Sequence, residues 1–192
     1  MLTLIGSGPS PYVRRIRILL GQFDYKFVNL DIYGDQQDIE VLKQNNPANK
    51  IPVLKDEDLT LYDSRVIYRY LGEKFAIAPL SWPQENLLTL VDATIDSLIV
   101  LIYGKRSGYD VESDVMIFQR QQERLPQLFA ALDKACAEGK FDNWDYPAIC
   151  LYTLLDWSLF RELYKWQTFE HLQKFYQSSL SEAFVSDTDP RL

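Results

Sequence analysis

The chain reads Ile51-Pro52-Val53-Leu54-Lys55-Asp56-Glu57-Asp58-Leu59-Thr60-Leu61-Tyr62-Asp63-Ser64, and this stretch points most directly to the fold. Ile51–Leu54 and Leu59–Tyr62 are two short apolar runs joined by an acidic turn, which predicts a pair of neighbouring strands. Ser64–Phe75 then takes helical spacing. Its expected buried stripe consists of Val66, Ile67, Tyr70 and Leu71.

Upstream of this stretch, strands and helices alternate. Met1–Ile5 is a short apolar strand that ends in a Gly- and Pro-rich loop, and a helix begins at Pro11 with Ser10 as its N-cap. Lys26–Ile32 alternates as a second strand, and Asp35–Gln44 is a short polar helix. The order β-α-β-α-β-β-α predicts an α+β, thioredoxin-like domain built on a four-stranded mixed sheet.

The second half is predicted to be all-helical. Its long segments with helical spacing are Gln84–Gly104, Ser113–Glu138, Ala148–Lys165 and the shorter His171–Ser179. Two prolines, Pro79 and Pro83, interrupt the chain between the halves. The prediction is therefore a first domain over residues 1–77, a linker over 78–84 and a helical domain over 85–192, with a loose tail after residue 185.

Charge and composition exclude several function classes. The chain has 192 residues and a net charge of −7, all of it from residues 81–192, because residues 1–80 carry ten basic and ten acidic side chains. An acidic chain argues against nucleic acid as a partner. No apolar run is long enough to predict a membrane span, and no leader precedes the first strand, so a cytoplasmic protein is expected. Two cysteines without ligand spacing predict neither a disulfide framework nor a metal site.

Three motifs resemble the glutathione S-transferase family. They are Ser10–Arg15, Asn46–Leu54 and Leu61–Arg65, which occur in the family's order and spacing and cover the whole first domain. The second half is similar to the helical domain of small bacterial members, above all at Leu155-Asp156-Trp157 and Phe160-Arg161. The resemblance implies a thioredoxin-like domain followed by an all-α domain, glutathione as co-substrate, and a homodimer.

Ser10 is the expected catalytic residue. The start of a helix offers unpaired N–H groups and the positive end of the helix dipole, which favour a thiolate. The resemblance gives the residue at this position the role of activating the glutathione thiol. A plain N-cap is the other interpretation of Ser10, and Ser7 in the same loop is the alternative hydroxyl.

The other expected ligand-binding residues lie in the second and third motifs. The resemblance implies a cis Ile51-Pro52 bond, with the Ile51 main chain pairing with the cysteinyl part of glutathione and Lys50 holding the glycyl carboxylate. Asp63 would pair with the γ-glutamyl ammonium group. Ser64 would cap the following helix and bind the γ-glutamyl carboxylate.

Expected roles also fall to other residues of the first motif and to residues outside the three motifs. Tyr12, Tyr103 and Arg106 are expected to line the pocket for a hydrophobic electrophile, by the resemblance. The basic cluster Arg14, Arg15 and Arg17 is interpreted as the solvated face of an amphipathic helix, with anion or partner binding as the alternative. His171, Cys136 and Cys150 are expected to be structural.

The resemblance implies an enzyme that ionises glutathione and conjugates it to a hydrophobic electrophile. Alternatives are a glutathione-dependent disulfide or peroxide reductase, a carrier of hydrophobic ligands, and a non-catalytic protein of the stringent-starvation type, which binds RNA polymerase. The chain has a serine and not a cysteine at position 10, which argues against the reductase. The motifs at Lys50 to Pro52 and at Asp63 and Ser64 argue against a protein that has abandoned glutathione.

Overall fold

A four-stranded mixed sheet forms the centre of the first unit. In the computed structural model, which describes all 192 residues, the strands are β1 (Leu2–Gly6), β2 (Tyr25–Asn29), β3 (Val53–Asp56) and β4 (Leu59–Tyr62). They lie in the order β2-β1-β3-β4. β1 pairs parallel with β2 and antiparallel with β3, and β3 pairs antiparallel with β4.

Three helices complete the predicted element order of this unit: α1 (Pro11–Leu20), α2 (Gln36–Asn45) and α3 (Ser64–Phe75). The inward-facing apolar side chains of α1 and α3 are withdrawn from water, as the complete burial of Val13, Ile16 and Ile67 shows. Val66, which was predicted to lie in the buried stripe of α3, is instead exposed. Leu4 and Leu54 of the sheet are equally buried. This burial of aliphatic side chains from both layers provides the main stabilisation of the unit.

The second unit is all-helical. Its helices are α4 (Trp82–Arg106), α5 (Met116–Ala137), α6 (Tyr146–Phe160) and α7 (Glu170–Ser179). α6 is its core helix, because every residue from Tyr146 to Ser158 is buried. Asp133 of α5 accepts hydrogen bonds at its Oδ1 from the backbone N–H groups of His171 (2.9 Å) and Leu172 (3.0 Å), and so caps α7. The predicted sequence of a thioredoxin-like α+β domain and an all-α domain is confirmed.

Two elements end earlier than predicted. β2 stops at Asn29 instead of Ile32, because the Asp31 carboxylate accepts hydrogen bonds from Tyr33 N (3.2 Å) and Gly34 N (2.9 Å) and closes a turn. α6 ends at Phe160, five residues before the predicted end. Glu162 takes a φ of 53° and Leu163 N donates to Ser158 O at 2.9 Å, which is how a left-handed residue terminates a helix.

The C-terminal residues belong to the first unit, contrary to the predicted second domain over 85–192. The two units are Met1–Leu80 with Ser181–Leu192, and Ser81–Leu180. The end of the chain is not loose: Arg14 donates from Nε to Thr188 Oγ1 (3.2 Å) and from a terminal guanidinium nitrogen to Val185 O (3.1 Å). Arg14 and Arg15 are both buried, so the prediction of a solvated arginine face is wrong for these two residues.

The helix α4 has a long apolar segment, although no apolar run long enough for a membrane span was predicted. It is long and apolar enough to cross a membrane by length and composition alone, and 44% of its apolar window is buried inside the protein. Core helices of water-soluble proteins satisfy the same criteria. α4 packs against α5 and α6 in the helical unit and carries Asp92 and Asp96 in its middle, which a bilayer would penalise.

A buried carboxylate ties the β3–β4 hairpin to α3 and predicts acid sensitivity. Asp56 Oδ2 accepts hydrogen bonds from Tyr70 Oη (2.5 Å) and Lys74 Nζ (2.6 Å). Lys74 and, next, Tyr70 hold the pKa of the Asp56 carboxyl below its usual value. The resulting stabilisation is present above the carboxyl's unfolded-state pKa and disappears as the pH falls through the lower folded-state pKa.

We therefore expect Asp56→Asn to unfold at lower urea than wild type at pH 7, with a difference that shrinks as the pH drops below about 4. Urea unfolding of wild type and variant, followed by circular dichroism at pH 7 and below pH 4, measures this difference. Glu57→Gln, at an exposed residue of the same turn, is the matched control. A difference of the same size at both pH values would contradict the role of the carboxylate charge.

Candidate functional site

The sheet register gathers the three motifs at one edge of the first unit. Ile5 of β1 pairs with Val53 of β3, and Val53 pairs with Tyr62 of β4, so these residues lie side by side across the sheet. β1 continues from Ile5 into the loop that carries Ser10, β3 is entered from Ile51, and β4 continues into Asp63. Because neighbouring strands are about 4.8 Å apart, motifs far apart in sequence become close neighbours.

Ser10 is the N-cap of α1 and lies partly exposed at its start. Its Oγ accepts a long hydrogen bond from Val13 N (3.4 Å), and its carbonyl accepts the first helical bond from Arg14 N (2.9 Å). The loop before it is held by Ser10 N donating to Ser7 O (3.0 Å) and Gly8 N donating to Asn29 Oδ1 (2.8 Å). Ser10 thus presents a hydroxyl where the helix dipole is positive.

The Ile51–Pro52 bond is cis, as the resemblance implies, and Pro52 is buried. Lys50 is exposed beside it. Asn46 organises this loop: its buried amide donates from Nδ2 to Lys50 O (2.6 Å) and its Oδ1 accepts from Ala48 N (2.9 Å). Asn46 opens the motif Asn46–Leu54, but its role in shaping the loop was not predicted. An asparagine directly after a helix and before Pro47 is typical of a side chain that bonds to the backbone of a turn.

Asp63, and not Ser64, caps α3. Asp63 Oδ1 accepts hydrogen bonds from Arg65 N (2.8 Å) and Val66 N (3.3 Å). Its backbone has a φ of 75° and a ψ of 125°, a combination that residues other than glycine seldom adopt. The surrounding structure must impose such a conformation, and backbone outliers of this kind cluster at ligand sites. The carboxylate is exposed at the edge where the motifs meet.

Ser64 is instead the first residue of α3 and has a charged neighbour. Its Oγ accepts a hydrogen bond from the guanidinium of Arg15 on α1, and both side chains are buried, at 1% exposure for Arg15 and 2% for Ser64. The Arg15 guanidinium also lies over the Tyr12 ring, 4.7 Å from its centroid. The sequence predicts a solvated Arg15, because a run of arginines on a short helix is typical of a face exposed to water.

The expected pocket residues fall in separate parts of the chain. Tyr12 is half-buried on α1, beside the arginine that reaches Ser64. Tyr103 and Arg106 are exposed near the end of α4 in the helical unit, where their spacing of three residues puts them on neighbouring positions of the helix. The first-unit site is thus formed without them.

Neither cysteine is placed to react. Burial, reinforced by Asp133 and Asp142, raises the pKa of the Cys136 thiol to about 12, so the thiol stays protonated at neutral pH. Cys150 is fully buried in α6. The chain forms no cluster of three or more His, Cys, Asp or Glu side chains that could hold a metal ion.

The polar groups at this edge suit a ligand that carries the ammonium and carboxylate groups of an amino acid and also a thiol. The start of α3, the Ser64 hydroxyl and the buried Arg15 cation favour a carboxylate. Asp63 provides the opposite charge for an ammonium group. Ser10, at the start of α1, can donate a hydrogen bond to a thiolate, which favours the ionised form.

Comparisons with known proteins agree with this assignment of fold. A family model described as glutathione S-transferase, N-terminal domain, matches residues 4–79. A stringent starvation protein A homolog of Coxiella burnetii is 37% identical over 95% of this chain and 93% of its own length. An uncharacterised GST-like protein of Escherichia coli is 25% identical over 98% of both chains.

A solved structure carries the same architecture and a ligand. The crystal structure of a glutathione transferase family member from Pseudomonas fluorescens, with bound glutathione, superposes with a TM-score of 0.83 at 27% identity over the whole of both chains. The sequence and the structure are thus similar to those of family members over the full length of the chain, and the first unit carries the three motifs. The chain belongs to the glutathione S-transferase family.

Proposed function

We propose that this protein binds glutathione at the edge formed by the three motifs and conjugates it to a hydrophobic electrophile. The observation that carries the proposal is the convergence of Ser10, Ile51 and the Asp63-Ser64 pair through the sheet register. The glutathione bound in the relative from Pseudomonas fluorescens supports the ligand.

Each part of the tripeptide has a complementary partner in this assignment. The γ-glutamyl carboxylate binds Ser64 and the N-terminus of α3, backed by Arg15, and the ammonium group pairs with Asp63. The Ile51 main chain pairs with the cysteinyl residue, and Lys50 takes the glycyl carboxylate. The ammonium and carboxylate groups on the α-carbon of the γ-glutamyl residue meet partners of opposite charge, which fixes the orientation of the residue and in turn directs the sulfur toward Ser10.

The chemical step depends on a lowered thiol pKa. Ser10 donates its hydroxyl hydrogen bond to the sulfur, and the dipole of α1 adds to the stabilisation of the thiolate. The thiol proton leaves to solvent. The sulfur lone pair then forms the C–S bond, while the electrophile expels its leaving group or takes the electrons into an adjacent acceptor. Holding both reactants together supplies the rest of the acceleration. Tyr12, on α1 two residues after Ser10, is the proposed contact of the electrophile in the first unit.

Isothermal titration calorimetry with reduced glutathione is the first test of this function. Saturable binding by wild type supports it, and absence of detectable heat at millimolar glutathione would reject it.

We expect Ser10→Ala to keep the affinity and to lower the conjugation rate with a chloronitrobenzene about fivefold, because one hydrogen bond to the thiolate is lost. The thiolate absorbance of the complex, followed against pH, should show a raised thiol pKa. Ser7→Ala is the matched control, and a larger effect there would transfer the role to Ser7.

A second function is favoured by one specific observation, the 37% identity to a stringent starvation protein A homolog over nearly the full chain. In this alternative the protein acts as a non-catalytic partner of another protein. Wild type that binds glutathione but shows no conjugation with a panel of electrophiles, and that captures RNA polymerase in a purified system, would establish it. A disulfide-reductase assay tests the reductase alternative, against which the absence of a cysteine at position 10 already argues.

Two further properties belong to the proposal. The exposed Val66 and Arg69 on α3, with Tyr62 beside them, offer an apolar and basic face, and the apolar α4 of a second copy, which carries Asp92 and Asp96, is complementary to it. We therefore expect a homodimer, which sedimentation equilibrium measures directly. Two cysteines that form no disulfide fit a reducing compartment, and the cytoplasm is the expected location.

A further inference from the structure

The C-terminal segment, defined as Ser181–Leu192, lies along α1 and contacts it at three levels. Near the helix start it accepts the hydrogen bonds of Arg14 at Val185 O and Thr188 Oγ1. Halfway along, Arg17 donates to Asp187 O at 3.4 Å. At the helix end, the Phe184 ring lies against Gly21. A contact that follows the whole helix does more than tether the end of the chain.

The first contact is made by a charge that water does not reach. Arg14 is 3% exposed and Thr188 is also 3% exposed. A buried guanidinium is tolerated only where its N–H groups find acceptors. Thr188 also donates from Oγ1 to Phe184 O (2.9 Å), so its hydroxyl is oriented to accept from Arg14. The segment thus supplies part of the environment that allows Arg14 to be buried.

The third contact requires a glycine directly after α1 and an unusual backbone in the segment. Any Cβ at position 21 would overlap the Phe184 ring, so glycine is the residue that permits the approach. Phe184 takes a φ of 63°, which is uncommon for an aromatic residue. Both features indicate that the close seating of the segment against α1 is built into the sequence.

Arg14 connects this segment to the proposed thiol site. Its side chain holds the segment, and its backbone N–H donates to Ser10 O at 2.9 Å, the bond that closes the first turn of α1. A shift of Arg14 therefore moves the carbonyl and the N-cap hydroxyl of Ser10. An error of about 1 Å in the position of a catalytic group is enough to lower a rate substantially.

We propose that the C-terminal segment positions the first turn of α1 and thereby tunes the ionisation of bound glutathione, with Arg14 as the positioning residue. The inference rests on the proposed function for its effect on the thiol. Its structural half, the control of the first turn by a segment over 170 residues away in sequence, stands on the contacts alone.

Thr188→Val tests the inference because it keeps the shape of the side chain and removes the acceptor of Arg14 Nε. We expect the pKa of the bound thiol, read from thiolate absorbance, to rise and kcat/KM to fall about threefold to tenfold, mainly through kcat. Thr188→Ser restores the hydroxyl and should return both values toward wild type. Ser186→Ala, at an exposed neighbour in the same segment, is the control and should change neither.

Hydrogen exchange of the Arg14 amide separates this inference from the proposed function. Faster exchange in Thr188→Val and in Gly21→Ala, with Thr188→Ser close to wild type, supports control of the first turn even if glutathione is not bound. Unchanged exchange in both variants overturns the inference. A lowered melting temperature with unchanged exchange and an unchanged thiol pKa also overturns it, because the segment would then only add stability.

Discussion

Arg15→Leu is expected to weaken glutathione binding about thirtyfold, which corresponds to about 2 kcal/mol. The leucine fills part of the same volume but removes the guanidinium that donates to Ser64 Oγ. The hydroxyl proposed to bind the γ-glutamyl carboxylate then loses its orientation, and the nearby positive charge is lost as well. Calorimetric titration with glutathione measures the affinity.

Two controls give this prediction a specific cause. Arg15→Lys keeps the charge without the planar fork, so its affinity should lie between those of wild type and Arg15→Leu. Arg120→Leu, at an exposed arginine on α5, should bind as wild type does. A glutathione analogue without the γ-glutamyl α-carboxylate completes a thermodynamic cycle with Arg15→Leu. If the variant weakens binding of the analogue as much as that of glutathione, Arg15 does not act through this carboxylate.

Asp63→Asn is expected to weaken glutathione binding about tenfold with little change in stability, because it removes the charge and keeps the cap. Asparagine is as good an N-cap as aspartate, so the bonds to Arg65 N and Val66 N can persist. The carboxylate proposed to pair with the γ-glutamyl ammonium group becomes neutral. Calorimetry measures the binding, and thermal unfolding measures the stability.

Asp63→Ala separates charge from capping at the same position. It should lose both, with the affinity of Asp63→Asn and a stability lower by about 1 kcal/mol from the missing cap. A deamino analogue of glutathione should bind wild type and Asp63→Asn with equal affinity. Unequal binding of that analogue would show that Asp63 acts on another part of the ligand.

Both predictions rest on features that the sequence revealed only in part. The Asp63-Ser64 pair stands out beside the strand Leu59–Tyr62, but the choice of cap does not. Either residue is a good N-cap type, and only the backbone conformation at Asp63 decides between them. Once Asp63 caps α3, Ser64 turns inward to Arg15, and its hydroxyl becomes part of a buried network.

The arginines of α1 show the same limit from the opposite side. Arg14, Arg15 and Arg17 resemble the water-exposed face of an amphipathic helix, since their neighbours Val13 and Ile16 already account for the apolar side. Local pattern contains no information about a second layer that covers the polar side. The cover is provided by the C-terminal segment at Arg14 and by α3 at Arg15.

The element order, the motifs and the place of Ser10 at a helix start can be predicted from the amino-acid sequence alone. These follow from interactions between residues a few positions apart, such as strand alternation, helical spacing and capping. Folding of the whole chain establishes which arginines are buried, which residue caps α3, how Asn46 shapes the loop before Pro52, and where the chain's end lies. Those outcomes depend largely on partners that folding brings together, 49 residues apart for Arg15 and Ser64 and 174 for Arg14 and Thr188, and the burial of a charge is decided by such partners.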